Sequence, residues 1–479
     1  MPRRRALVGA LAALTALLGL VWLGAASASD WPRFGVTSSR PNAAGSSGIT
    51  AASVRHLHRQ AVRLDGTVDS SPIYLHGVVV GGRKHDVFVV TTTYGKTLAI
   101  DAARGKVLWR FVPRGIAAWS GSAQITTATP VADPSRRFVY TASPDGMIHK
   151  LSLANGREAP GWPVRVTLLP TREKIASALN FSRGLVLVST GGYYGDTPPY
   201  QGHVVTISAA TGHIVHVFNS LCSDRQQLIV PSSCSASDSA IWGRAGVVVE
   251  PGSGNLLVAT GNGPWNGRTN WGDSVLELSP DAGRLLQAYT PQNQAHLEAA
   301  DIDLGSTSPA ILPAAPGGRR LAVQGGKDGL LRLLDLDRLN GRNTTPGSTG
   351  GELQTIDAPG KTDVFTAPAV WRGGGRTWVF VATNAGTGAY ALAGERLQRV
   401  WENGRPGTSP VVAGGLVYVY DPTGGGLNVY RPGSARPIAT LPAGAGHWNS
   451  PIVADGRIAL PEGNANDHAT SGVLDIFRR

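Results

Sequence analysis

The chain has 479 residues, with 62 Gly and 32 Pro but only 16% charged residues. After Ser29, Gly or Pro interrupts nearly every window before helical periodicity is established, which excludes a helical bundle and points to many short strands. The formal charge of +12 is scattered, without a Lys/Arg block outside the N-terminus and without aromatic–basic interleaving, so no nucleic-acid partner is expected.

In chain order, Arg3, Arg4 and Arg5 precede an uncharged apolar run from Ala6 to Ala26, and Ala26-Ser27-Ala28 has the small-x-small form of a cleavage site. Residues 1–28 therefore read as an export signal. The alternative is a retained membrane anchor, because about 20 apolar residues span a bilayer. Either way residues 29–479 are expected outside the cytoplasm, secreted or at the cell envelope, and membrane contact is expected only through a retained N-terminal segment.

From Tyr94 the sequence YGKTLAIDAARGKVLWRF reads as a strand, a tight turn and a second strand. Such a hairpin cannot bury its apolar face alone. It recurs at Gly146, Gly202, Gly272, Gly329, Gly388, Gly426 and Gly472, each time after another pair of short strands. The inner strand often opens with a small residue and proline, as at Ser71-Pro72, Thr129-Pro130, Ser308-Pro309, Ala367-Pro368, Ser409-Pro410 and Ser450-Pro451. Eight copies with this period predict an all-β fold: an eight-bladed propeller of four-stranded blades forming one domain. The last copy stops after GVLDIF, short of its fourth strand, while VRHLHRQAVRL (Val54 to Leu64) belongs to no complete blade. A ring leaves no open edges, so the N-terminal strand is expected to complete the last blade.

The two cysteines, Cys222 and Cys234, flank a polar loop, and in an oxidising compartment they are expected to form a local disulfide. There is no CxxCH, hence no haem attachment site, and no CxxC pair.

Function in a propeller concentrates in the loops that converge on the central funnel. The longest blade is the fourth, which holds IWGRAG and TGNGPWN, and DIDLGS and GGKDGLLRLLD follow it. The hairpin repeat, the early DWPRFG and these four segments together resemble the pyrroloquinoline-quinone (PQQ) dehydrogenases, whose fold is an eight-bladed propeller. The resemblance implies Trp242 as the floor under the cofactor ring and Asn262 as a calcium ligand. It also implies Asp303 as the catalytic carboxylate and a calcium ligand, with Asp301 as the near alternative, and Lys327 as the contact to the quinone oxygens. The chemistry suits those roles: an indole face stacks on a planar quinone, and amide and carboxylate oxygens are hard ligands for calcium. A carboxylate takes a hydroxyl proton, and a lysine stabilises charge developing on a reduced quinone. Each residue also has a structural alternative: Asn262 as a left-handed turn residue, the aspartates as loop caps, Lys327 in a tight turn, Trp242 as inter-blade packing.

Two departures count against activity. GIAAWSGSAQITTATP lacks the adjacent cysteine pair that the resemblance implies over the cofactor, and the first calcium carboxylate would fall near SALNF, where Asn180 stands instead. On sequence alone the favoured reading is an exported, non-catalytic relative that binds a ligand, protein or envelope polymer. The alternative is a PQQ- and calcium-dependent dehydrogenase of an alcohol or sugar, passing electrons to a separate acceptor.

Overall fold

Strand-forming Val, Ile and Leu runs, cut by Gly-containing turns, fold into eight antiparallel four-stranded blades, the seventh extended by the parallel pair Ala43–Ala44, in the computed structural model, which describes residues 30–314, 318–340 and 348–479. The leader or anchor assigned to residues 1–28 lies outside the described residues. Counting from the innermost strand, the blades begin at Ile73, Val131, Asn180, Val248, Ala310, Ala369, Val411 and Ile452. Strands facing neighbouring blades on both sides carry buried apolar runs, as in the fully buried Val87-Phe88-Val89-Val90. Outermost strands carry polar residues on their wet face, and in Arg396–Asn403 only Leu397 and Trp401 are buried. This burial pattern explains why the hairpin repeat is legible.

The eighth blade is closed as the sequence predicts. His58–Leu64 pairs antiparallel with Gly472–Arg478 through seven consecutive residue pairs. Arg59 on the closing strand binds Asp475 (Nε to Oδ2, 2.7 Å) on the strand beside it and Glu462 (Nη2 to Oε1, 3.0 Å) on the strand beyond. The closing strand is shorter than the sequence suggests, because Val54–His56 forms a 3-10 turn. Reciprocal bonds between Thr50 and Ser53 (Thr50 N to Ser53 Oγ, 2.9 Å; Ser53 N to Thr50 Oγ1, 3.2 Å) wind that turn and divert Val54 into the core.

Upstream of the closing strand, Trp31 to Ser47 visits the blades in ring order. Trp31 bridges to Tyr74 of blade 1, and Pro32 O accepts from Ala132 N of blade 2 at 2.8 Å. The Arg33 guanidinium donates to Phe181 O of blade 3 at 2.7 Å. The carbonyls of Ser38, Pro41, Asn42 and Ser47 accept from Val249, Val370, Val412 and Gly456 of blades 4, 6, 7 and 8. This segment crosses the innermost strands and satisfies backbone groups that would otherwise face the axis without partners.

Cys222 and Cys234 are joined, with Cα atoms 6.2 Å apart. Closing a loop of that size stabilises by about 3 kcal/mol. Intact-mass measurement of exported protein is expected to find the pair oxidised, two hydrogens lighter than the reduced chain; quantitative alkylation without prior reduction would contradict this.

Candidate functional site

The funnel opens where the chain approaches each innermost strand. Asp69, Ala176, Trp242, Asp303, Phe365 and Trp448 lie 4 to 7 residues before the innermost strands of blades 1, 3, 4, 5, 6 and 8. Equivalent places in the repeat thus deliver different side chains to one axial space. All but Asp69 line a cavity of about 630 Å³.

Three half-buried aromatics meet across it. Trp242 lies 5.7 Å from Trp448 and 6.0 Å from Phe365, centroid to centroid, and His447 stacks on Trp448 at 4.4 Å. Lys327 Nζ stands 5.7 Å from the centre of the Trp242 ring. Partly exposed aromatic faces inside a protein cavity are a surface for a planar, apolar-faced ligand.

Beside the aromatics sits Asp303, whose carboxylate is 6% exposed and bonded at both oxygens: Lys327 Nζ is 2.5 Å from Oδ2, and Asn262 N donates to Oδ1 at 2.8 Å. The Lys327 backbone N–H also donates to Asp303 O at 2.9 Å, knitting the two loops together. The carboxylate lies against Gly261 so closely that a Cβ there would come within 2.0 Å of Oδ1. Burial pushes the Asp303 carboxyl up, and the Lys327 ammonium and Asn262 N–H oppose that shift without cancelling it. Burial works against the Lys327 ammonium, but Asp303 and Asp301 outweigh it and hold its pKa above the ordinary lysine value. Beneath them Asp273 is pushed up to about 8 by burial, with the Asp303 charge adding to it.

The sequence-selected residues therefore converge, with distinctions the sequence did not supply. Trp242, Asp303 and Lys327 share the cavity. Asp301 sits at its rim, 61% exposed and 3.4 Å from Lys327 Nζ, so Asp303 is the enclosed carboxylate of the two. Asn262 reaches Asp303 through its backbone, and its side chain is not part of the cavity wall. It does not adopt the left-handed conformation of a turn residue. Asp303 does not cap the 3-10 turn it precedes. Asn180 lies away from the funnel: its amide donates to Ser38 O and Val247 O, both at 2.8 Å, and its Oδ1 accepts from Arg33. The expectation of a calcium position there is corrected, because Asn180 is held by the segment that crosses the innermost strands.

Sequence reading missed Phe365, Trp448, Lys174 and Asp196. The first two had a signal: Phe365 and Trp448, like Asp69, stand three residues before the proline that opens the innermost strand. Asp196 sits in the loop at the cavity mouth, accepts from Tyr200 Oη at 2.9 Å, and is pushed up by burial and by the charges of Asp303 and Asp301.

Among solved structures, a europium-containing methanol dehydrogenase superposes on 94% of this chain and 98% of its own, with a TM-score of 0.71 at 15% identity. The quinohemoprotein alcohol dehydrogenase ADHIIG of Pseudomonas putida gives a TM-score of 0.70 at 15% identity, over 94% of this chain and 80% of its own. The fold is that of the quinoprotein dehydrogenase propellers. Sequence relatives agree in class. The quinohemoprotein alcohol dehydrogenase ADH IIB of Pseudomonas putida is 25% identical over 404 residues, 74% of this chain and 54% of that protein. The dehydrogenase subunit of an Acetobacter aceti quinone alcohol dehydrogenase is 24% identical over 301 residues, 54% of this chain and 38% of its own. The chain thus spans about half the length of the first relative and less of the second. No family model matches it.

Proposed function

We propose that the funnel binds PQQ and that the protein is a quinone-dependent dehydrogenase of a small alcohol or sugar, acting outside the cytoplasm. The observation that carries this reading is the enclosed Asp303–Lys327 pair beside the half-buried Trp242 in one cavity of about 630 Å³. The relatives' quinone alcohol dehydrogenase chemistry supports it over the non-catalytic relative favoured by the sequence alone, and the disulfide is compatible with an oxidising compartment.

The residues present suit a planar polyanion: an indole face, the cations Lys327, Lys174 and Arg244 in or beside the cavity, and the amides of Asn384 and Asn466 on its wall. They suit calcium less well. Both Asp303 oxygens already have protein partners and the Asn262 side chain is off the wall. Among the described residues, the only three His or carboxylate groups with ligand atoms within 4.8 Å of one another are His76, Asp86 and Asp455. Those lie on blades 1 and 8, and Arg457 already bonds both carboxylates there. No step is therefore derived through a metal.

When bound, PQQ supplies a two-electron acceptor for the hydride leaving the substrate carbon. Asp303 is the base that takes the substrate hydroxyl proton, so the products are a carbonyl compound and the reduced quinone. Lys327 holds Asp303 in place and offsets negative charge developing at a bound quinone. Trp242 would hold the plane of the bound ring. Incubation with PQQ is expected to confer alcohol- or sugar-dependent dye reduction. If PQQ binds but no substrate in either class reduces the dye, the non-catalytic binding reading stands instead.

A further inference from the structure

Two of the cations at the funnel have no role in the proton transfer: Lys174 on the cavity wall and Arg244 beside it. Glu173–Lys174 forms a two-residue strand against Gly191–Gly192. Strand alternation sends the two side chains opposite ways. Glu173 turns into the blade, where Oε1 lies 2.9 Å from His203 Nε2. Lys174 turns into the cavity, 6% exposed, with Nζ 5.9 Å from the centre of the Trp448 ring.

The Lys174 ammonium makes no hydrogen bond or ion pair with any described residue, its nearest aromatic face being that of Trp448. Arg244, 3% exposed, lies 5.4 Å from the centre of the same indole. Its guanidinium donates only to carbonyls, those of Thr127, Ala176, Asp69 and Trp448, at 3.1 to 3.5 Å. The nearest carboxylate is committed elsewhere: Asp69 accepts from His447 Nδ1 at 2.7 Å, Trp448 N at 2.8 Å and Ala465 N at 3.0 Å. Two buried cations flank one aromatic ring, and neither has a carboxylate bonded to it.

We infer that Lys174 and Arg244 form a carboxylate-binding subsite around Trp448, which receives an acid group of the ligand held in the funnel. Isolated buried cations are unfavourable unless paired, and a ligand carboxylate pairs them where no protein group does. Burial lowers the Lys174 amine to about 8, with Arg244 contributing and Asp69 opposing, so an arriving anion also stabilises its protonated form. Trp448 offers the attached ring a face. The inference rests on the reading of the funnel as a ligand site, and the acid group belongs either to the quinone cofactor or to an acidic substrate.

The test compares the full chain with Lys174→Met and Lys174→Arg, using PQQ and benzoate as probes and following binding by tryptophan fluorescence. Loss of one charge-assisted pair is expected to weaken the responding probe about tenfold in Lys174→Met, with Lys174→Arg close to the unsubstituted protein. A weakened PQQ affinity assigns the acid group to the cofactor. Unchanged PQQ affinity with weakened benzoate binding to the PQQ-loaded protein assigns it to the substrate. Without ligand, Lys174→Met is expected to melt higher than the unsubstituted protein, because an unpartnered ammonium has been removed from the interior. If Lys174→Met binds both probes as tightly as the unsubstituted protein, the subsite is refuted. If the unsubstituted protein binds benzoate but not PQQ, the dehydrogenase reading fails while benzoate alone decides the subsite.

Discussion

Asp303→Asn is expected to reduce substrate-dependent dye reduction by roughly 100-fold or more while PQQ affinity changes little. The amide keeps an oxygen for the Asn262 N–H, so the loop geometry is preserved, but it is no longer a base. Lys327 retains a carboxylate neighbour in Asp301, at 3.4 Å, so the loss of its 2.5 Å pair lowers the melting temperature without unfolding the blade. Steady-state kinetics with a melting curve separate the effects. Activity within a fewfold of the unsubstituted protein would remove Asp303 from the reaction. A parallel loss of PQQ binding would make it a binding residue instead.

Deleting residues 29–64 is expected to prevent cooperative folding altogether. The deletion removes the outer strand of blade 8, exposing the edge of Gly472–Arg478, and with it the segment that crosses the innermost strands. It also removes Trp31, Phe34, Ile49, Val54, Val62 and Leu64, all buried. At about 1.5–3 kcal/mol per buried apolar side chain, that loss is comparable to the 5–15 kcal/mol stability of a typical domain. Aggregation or a broad, non-cooperative melt is the expected outcome. A monomeric truncated protein with unchanged melting would contradict closure by the N-terminal strand.

The blade count was legible because each hairpin must bury a face, so the alternation of Leu98 and Ile100 reappears in every copy. Closure was legible because Val54 to Leu64 belongs to no complete blade of its own. The crossing of the innermost strands by Trp31 to Ser47 was not legible, because it depends on backbone carbonyls, which leave no mark in side-chain pattern. At the site, Trp242, Asp303 and Lys327 were found through resemblance and do share one cavity. Phe365 and Trp448 were missed because attention went to segments that break the repeat, whereas both occupy a regular place in it. Lys174 was missed because it stands in no segment that carries the resemblance. Only the two-residue strand distinguishes it from its neighbour, sending Glu173 to His203 and Lys174 into the funnel.

The most direct test of the account is an equilibrium titration of the purified full chain with PQQ, with and without millimolar calcium. Tryptophan fluorescence and cofactor absorbance would report binding. The account predicts saturable binding at one site, weakened by roughly 1 kcal/mol, about fivefold, in Trp242→Ala through lost ring stacking. Absence of PQQ binding under both conditions, in protein shown to be folded by its circular dichroism and cooperative melting, would contradict it.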